Sequence, residues 1–137
     1  MLRAVLDAKV YVSAYVRPEG PPGQIVERLL RDRTFELVLS AEIAEEVLQA
    51  LAYPKVLKNA RAKVEPDLWF EDIVMLAEFV TGQPIESVSE DPDDDKYIAA
   101  AIEGRASFVV SGDPDLLDIK EHQGVRIVNP RAFLELL

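Results

Sequence analysis

The sequence predicts an α/β domain in which a parallel sheet is covered by helices on both faces. Two observations predict it. Four short apolar runs, at residues 2–6, 35–39, 106–110 and 125–128, alternate with stretches of helical spacing. The chain has 137 residues, enough for one core, with no internal repeat and no linker long enough to divide it. Residues 1–137 therefore read as a single domain. Hydrophobic residues at 49% and charged residues at 29% are typical of a soluble globular protein.

Taken in order, LRAVL (2–6) ends at Asp7 and reads as a buried strand. KVYVSAYV follows, then the loop RPEGPPG, marked by its prolines and glycines. Residues 24–33 form an amphipathic helix with Ile25, Leu29 and Leu30 inward, and 35–39 a second strand. Ser40 is a natural N-cap, with Glu42 and Glu45 suiting the positive end of a helix that runs to about residue 51. Tyr53-Pro54 starts another helix, and Pro66 starts one expected to reach Thr81 before Gly82. On that last helix Leu68, Trp69, Phe70, Ile73, Leu76, Phe79 and Val80 read as core or subunit interface. The run EDPDDD (90–95) precedes the helical KYIAAAIEGR, and ASFVV (106–110) is a strand leading into SGDPD. Residues 125–128 are a further strand before a short helix at Pro130, and His122 reads as a surface residue of a turn.

Composition excludes several chemistries. With no cysteine, disulfides, thiolate zinc sites and cysteine nucleophiles are ruled out. With one histidine, so is any mechanism requiring two imidazoles. No apolar run approaches the roughly 20 residues of a membrane span, and MLRAVLD opens as a strand, not a signal peptide. A cytoplasmic protein is expected. The net charge of −10 argues against general coating of nucleic acid, although carboxylates that hold a metal beside a phosphate also add negative charge.

The positions of the acids therefore matter. Sites in parallel α/β sheets form beyond the carboxyl ends of the strands, where Asp7 and Asp113 fall. Each also suits a helix N-cap. Asp95 heads the helix KYIAAAI and projects toward the same end, whereas Asp93 and Asp94 read as solvated loop. On the helix after Ser40, Glu46 lies at the border of the apolar face formed by Ile43, Ala44, Val47, Leu48 and Leu51. Asp7, Glu46, Asp95 and Asp113 are thus expected to converge. Oxygen-only ligands suit Mg²⁺ or Mn²⁺, which can activate water for phosphodiester hydrolysis.

Along essentially its whole length the chain resembles the PIN-domain family, most closely its VapC-like branch of toxin–antitoxin components. The resemblance rests on VLDAKVYVSA, RPEGPPG, FELVLSAEIAEEVLQAL, EDPDDDKYIAAAIEGRASFVVSGDPDLL and VRIVNPRAFLELL, in that order. It implies a three-layer α/β/α sandwich with a mostly parallel sheet and a Mg²⁺- or Mn²⁺-dependent endoribonuclease. The family's four acids fall on Asp7, Glu46, Asp95 and Asp113, with Asp91 and Asp115 as helpers and Ser111 as the supporting hydroxyl. It further implies an RNA substrate, an antitoxin protein as partner if this is a toxin, and a homodimer or higher homo-oligomer.

One departure stands out. The family's Thr and Asn after the first acid are here Ala8 and Lys9. Two readings follow: Lys9 takes the metal's place and leaves an RNA- or protein-binding module that does not cut, or it snorkels outward to an RNA phosphate. Candidate RNA-backbone contacts are Arg17, Lys55, Lys58, Arg61 and Lys63. An aspartyl phosphatase would require an acid where Lys9 stands, and a receiver domain a second acid near the first strand. Lys96 occupies the glycine position of a calcium-binding loop.

Overall fold

The computed structural model describes residues 1–60, 64–83, 85 and 91–137. Its centre is β1 (Arg3–Leu6), whose Ala4, Val5 and Leu6 are all fully buried, as a strand covered on both faces requires. Toward one side lie β2 (Glu36–Ser40) and β3 (Glu78–Val80), and toward the other β4 (Phe108–Val110), β6 (Val125–Val128) and β5 (Glu121–His122). The order is β3-β2-β1-β4-β6-β5, with every pairing parallel except β5 against β6.

Helices cover both faces, giving an α/β/α sandwich. They are α1 (Ala8–Val16), α2 (Pro21–Asp32), α3 (Ala41–Leu51), α4 (Pro54–Asn59), α5 (Pro66–Val74), α6 (Asp95–Glu103), α7 (Pro114–Leu117) and α8 (Pro130–Glu135). α1 packs on α2 and α3, and α2 on α8, while α6 lies across β1, β2, β4 and β6. Gly23 lets α2 fold back on the preceding loop, since a Cβ there would stand 2.1 Å from the Pro18 carbonyl oxygen. Phe35 and Phe133, with ring centroids 5.1 Å apart, lock α8 onto the core. No helix among the described residues is long and apolar enough to cross a membrane.

Two expectations are corrected. The helix from Pro66 ends at Val74, and residues 78–80 are instead the edge strand β3, paired with Val38, Leu39 and Ser40. The free edge of β2 supplies that pairing, and local periodicity does not register a partner so distant in sequence. Phe70 and Ile73 are accordingly buried, while Leu68 and Phe79 are about half exposed. The sheet also contains β5, so His122 is a half-buried strand residue beside the turn at Gln123 and Gly124.

The topology positions the site. From β1 the chain moves outward to β2 and β3, then crosses back to β4 on the other side of β1. The crevice between the carboxyl ends of β1 and β4 is thus a topological switch point. Asp7 is the first residue beyond β1 and Ser111 the first beyond β4, and the Asp7 N–H donates to the Val110 carbonyl at 3.1 Å.

Candidate active site

Asp7 is buried, 3% exposed, and each of its oxygens is held by a neutral donor. The backbone N–H of Val10 donates to Oδ1 at 2.9 Å, making Asp7 the N-cap of α1, and the Ser111 hydroxyl donates to Oδ2. Burial pushes this carboxyl above its ordinary pKa; the bonds from Ser111 and Val10 and the charge of Lys9 oppose the shift, and Asp113 adds to it. Ser111 is fully buried and also accepts from the Asp113 N–H at 3.0 Å. One hydroxyl thereby ties the two strand-end acids together. Asp113 caps α7 by accepting from the Asp115 N–H at 3.0 Å. Both aspartates are thus helix caps at the carboxyl ends of adjacent strands.

A hollow of about 410 Å³ opens over these groups, lined by Asp7, Asp113, Asp91, Asp93, Asp94 and Glu46, with Tyr97 as part of its wall. Glu46 reaches it from α3. Its Oε2 lies 2.6 Å from the Lys96 ammonium, and its Oε1 accepts from the Tyr97 hydroxyl. Tyr97 in turn accepts from the Ala8 N–H at 3.2 Å. Burial, and then the bond to Glu46, raise the Tyr97 pKa, which keeps it a proton donor.

The placement of Asp95 differs from the expected convergence. Asp95 lines a separate hollow with Ser40, Glu42, Gly82 and Lys96, whereas Asp94 lines the one containing Asp7 and Asp113. A 3₁₀ turn at Pro92–Asp94 runs into α6, and consecutive residues there point about 100° apart, so Asp94 and Asp95 do not face the same hollow. Asp94 Oδ2 is buried without a hydrogen-bond partner. Burial, then the charges of Asp113 and Asp91, push this carboxyl up to about 6. The sequence reading missed Asp94 because a charge run looks like solvated loop; the proline two residues before it, which starts the turn, was the available signal.

The remaining predicted residues are distributed unevenly. Asp91 lines the hollow while its side chain caps the 3₁₀ turn at the Asp93 N–H, 3.0 Å away. Asp115 is exposed on α7 and does not line the hollow. Lys9 is exposed at the rim, so the ammonium paired with an acid here is that of Lys96. Lys55 and Lys58 are exposed on α4, and Arg17 is exposed after α1. Arg61 and Lys63 lie outside the described residues. Tyr53, read from sequence only as a helix start, is 65% exposed and lines the hollow just before the basic α4.

The donor set is carboxylate throughout, which suits a hard divalent cation. Among the described residues no three acidic or histidine side chains already stand at the spacing of a finished metal site. The unpartnered Asp94 oxygen and the buried Asp7 carboxylate are the groups that a cation would satisfy.

Comparison with known proteins adds to this. Residues 3–115 match the family model of the PIN domain. An uncharacterized protein, MJ1680, of Methanocaldococcus jannaschii is 24% identical over 145 residues, spanning 98% of this chain and 90% of that one. The structure of VapBC2 from Rickettsia felis bound to a DNA fragment from their promoter is similar, with a TM-score of 0.58 at 12% identity. It covers 93% of this chain and 98% of that chain. PAE2754 from Pyrobaculum aerophilum is similar with a TM-score of 0.58 at 14% identity, covering 98% of this chain and 88% of that one. At these identities the likeness is one of fold.

Proposed function

Because the chain belongs to the PIN-domain family, whose members are generally nucleases, we propose that it is a metal-dependent endoribonuclease. The hollow at the switch point would hold Mg²⁺ or Mn²⁺ through Asp7, Asp94 and Asp113. The observation that carries this reading is that these three acids line one hollow and that Asp94 Oδ2 is a buried carboxylate oxygen with no partner. Burial, then the charges of Asp113 and Asp91, push the Asp94 carboxyl up to about 6, and carboxylates placed this way favour a cation among them.

A bound divalent ion supplies the charge that activates water and offsets the developing charge on a phosphodiester. The protein supplies position. Ser111 and the Val10 N–H hold Asp7 in one orientation, and Ser111 relays that order to Asp113 through its backbone N–H. Asp94, whose carboxyl is pushed up to about 6 by burial, would hold the ion as the deprotonated carboxylate. Exposed Tyr53 at the lip offers a face for a nucleobase, and Lys55 and Lys58 beyond it offer charge to the backbone.

The VapBC2 neighbour supports a toxin role in which an antitoxin protein covers the hollow. Half-exposed Leu68 and Phe79 support self-association into a homodimer. The test is cleavage of a single-stranded RNA with Mn²⁺ against EDTA, for the wild type, Asp94→Asn and Asp95→Asn. Mn²⁺-dependent cleavage that Asp94→Asn reduces far more than Asp95→Asn is expected. Cleavage surviving EDTA sinks the metal reading, and the reverse order of the two variants returns the third role to Asp95.

A further inference from the structure

The acids of the hollow are not equally in need of a cation. Asp7 is held only by neutral donors, and Asp94 Oδ2 has no donor at all. Glu46 is different, because both of its oxygens are engaged and one of them by a full positive charge. Lys96 Nζ lies 2.6 Å from Oε2 and also donates to the Asp93 carbonyl at 2.7 Å, and its side chain is only 10% exposed. Tyr97, the next residue on α6, donates to Oε1 while its own oxygen takes the Ala8 N–H. Adjacent residues of one helix thus clamp the two oxygens of one carboxylate.

We propose that Lys96, with Tyr97, is a built-in counter-ion that withholds Glu46 from metal ligation and limits the hollow to a single divalent ion. This rests on the metal-dependent reading above. Two-ion sites place the ions roughly 3.5–4 Å apart and need carboxylates on both sides. On the α3 side of this hollow the available carboxylate is Glu46. Recruiting it would leave a nearly buried ammonium with the Asp93 carbonyl but without its carboxylate partner, and a buried charge short of its counter-ion is strongly unfavourable. Lys96 is therefore a positioning residue: it acts through Glu46 and decides which acids remain free to bind.

The test counts bound Mn²⁺ per chain by electron paramagnetic resonance and calorimetry, without substrate. The wild type is expected to bind one ion. Lys96→Met, which keeps the aliphatic stem and removes the charge, is expected to bind two, with affinity for the second ion raised at least about tenfold. Lys96→Arg, which keeps the charge, is expected to bind one, and Lys96→Met combined with Glu46→Gln to return to one. Circular dichroism confirms the fold of each variant, and Lys96→Gln replaces Lys96→Met should the latter misfold. Two ions in the wild type, or one ion with unchanged affinity in Lys96→Met, overturns this inference and leaves the metal-dependent reading standing. No Mn²⁺ bound by any of them removes both.

Discussion

The two edges of the sheet handle acidic side chains in opposite ways. At the amino-terminal edge, Glu36 and Glu78 begin adjacent strands, and the Arg3 guanidinium meets each of them at 2.5 Å while donating to the Gly104 carbonyl. At the carboxyl-terminal edge, Asp7, Asp94 and Asp113 share a hollow in which Lys96 is committed to Glu46 and Lys9 stays at the rim. One edge is neutralised from within, and its ion pairs tie together β1, β2, β3 and the end of α6. The other edge keeps its repulsion. The fold balances its acids where the strands begin and leaves them unbalanced at the switch point, the arrangement that supports the proposed cation site.

The largest effect expected from disturbing this contrast is on catalysis. Asp7→Asn removes the best-buried charge of the hollow, and Mn²⁺-dependent RNA cleavage should fall at least about a hundredfold, the upper end of what losing a mere neighbour of a ligand costs. A loss below about threefold in a gel-based cleavage assay would show that the unbalanced edge is not the reactive one.

Next comes the balanced edge. Arg3→Met leaves Glu36 and Glu78 without their shared cation and the Gly104 carbonyl without its side-chain donor, so urea denaturation should show a loss of about 1–2 kcal/mol. The glutamates are half exposed, which keeps the figure modest. Unchanged stability would mean that this network is surface ornament, and the contrast between edges would vanish.

The pH dependence should be smaller, and its sign is informative. Asp94 titrates near 6 in the folded chain against an ordinary 3.8, so the folded state binds that proton more tightly than the unfolded state does. Its charge opposes folding above about 6, and the opposition is relieved as pH falls from about 6 to 3.8. In EDTA, the melting temperature of the wild type should therefore gain on that of Asp94→Asn as the solution is acidified through this window. Parallel curves would place Asp94 in solvent.

The smallest effect is expected for Lys9→Asn. Its ammonium is exposed and interacts through water, so Mn²⁺ affinity should change by less than about threefold. A gain of tenfold or more would revive the reading in which Lys9 stands in the metal's place and the domain binds without cutting.

The sequence by itself determined the α/β/α architecture, because apolar runs long enough for strands alternate with helical patterns, and both signals are local. It also determined that Asp7, Glu46 and Asp113 would face one end of the sheet: two directly follow strands, and the third borders an apolar helix face. The strand at Glu78–Val80 was hidden, because its hydrogen bonds come from β2, about forty residues away in sequence. That Asp94, and not Asp95, lines the hollow with Asp7 was hidden as well. It depends on a 3₁₀ turn setting the phase of α6, and one residue of phase rotates a side chain by about 100°. Most of all, only the tertiary structure decided that Lys96, and not Lys9, would pair with Glu46. Electrostatic pairing depends on distance and burial after the helices have docked, and neither quantity is written in the order of residues along the chain.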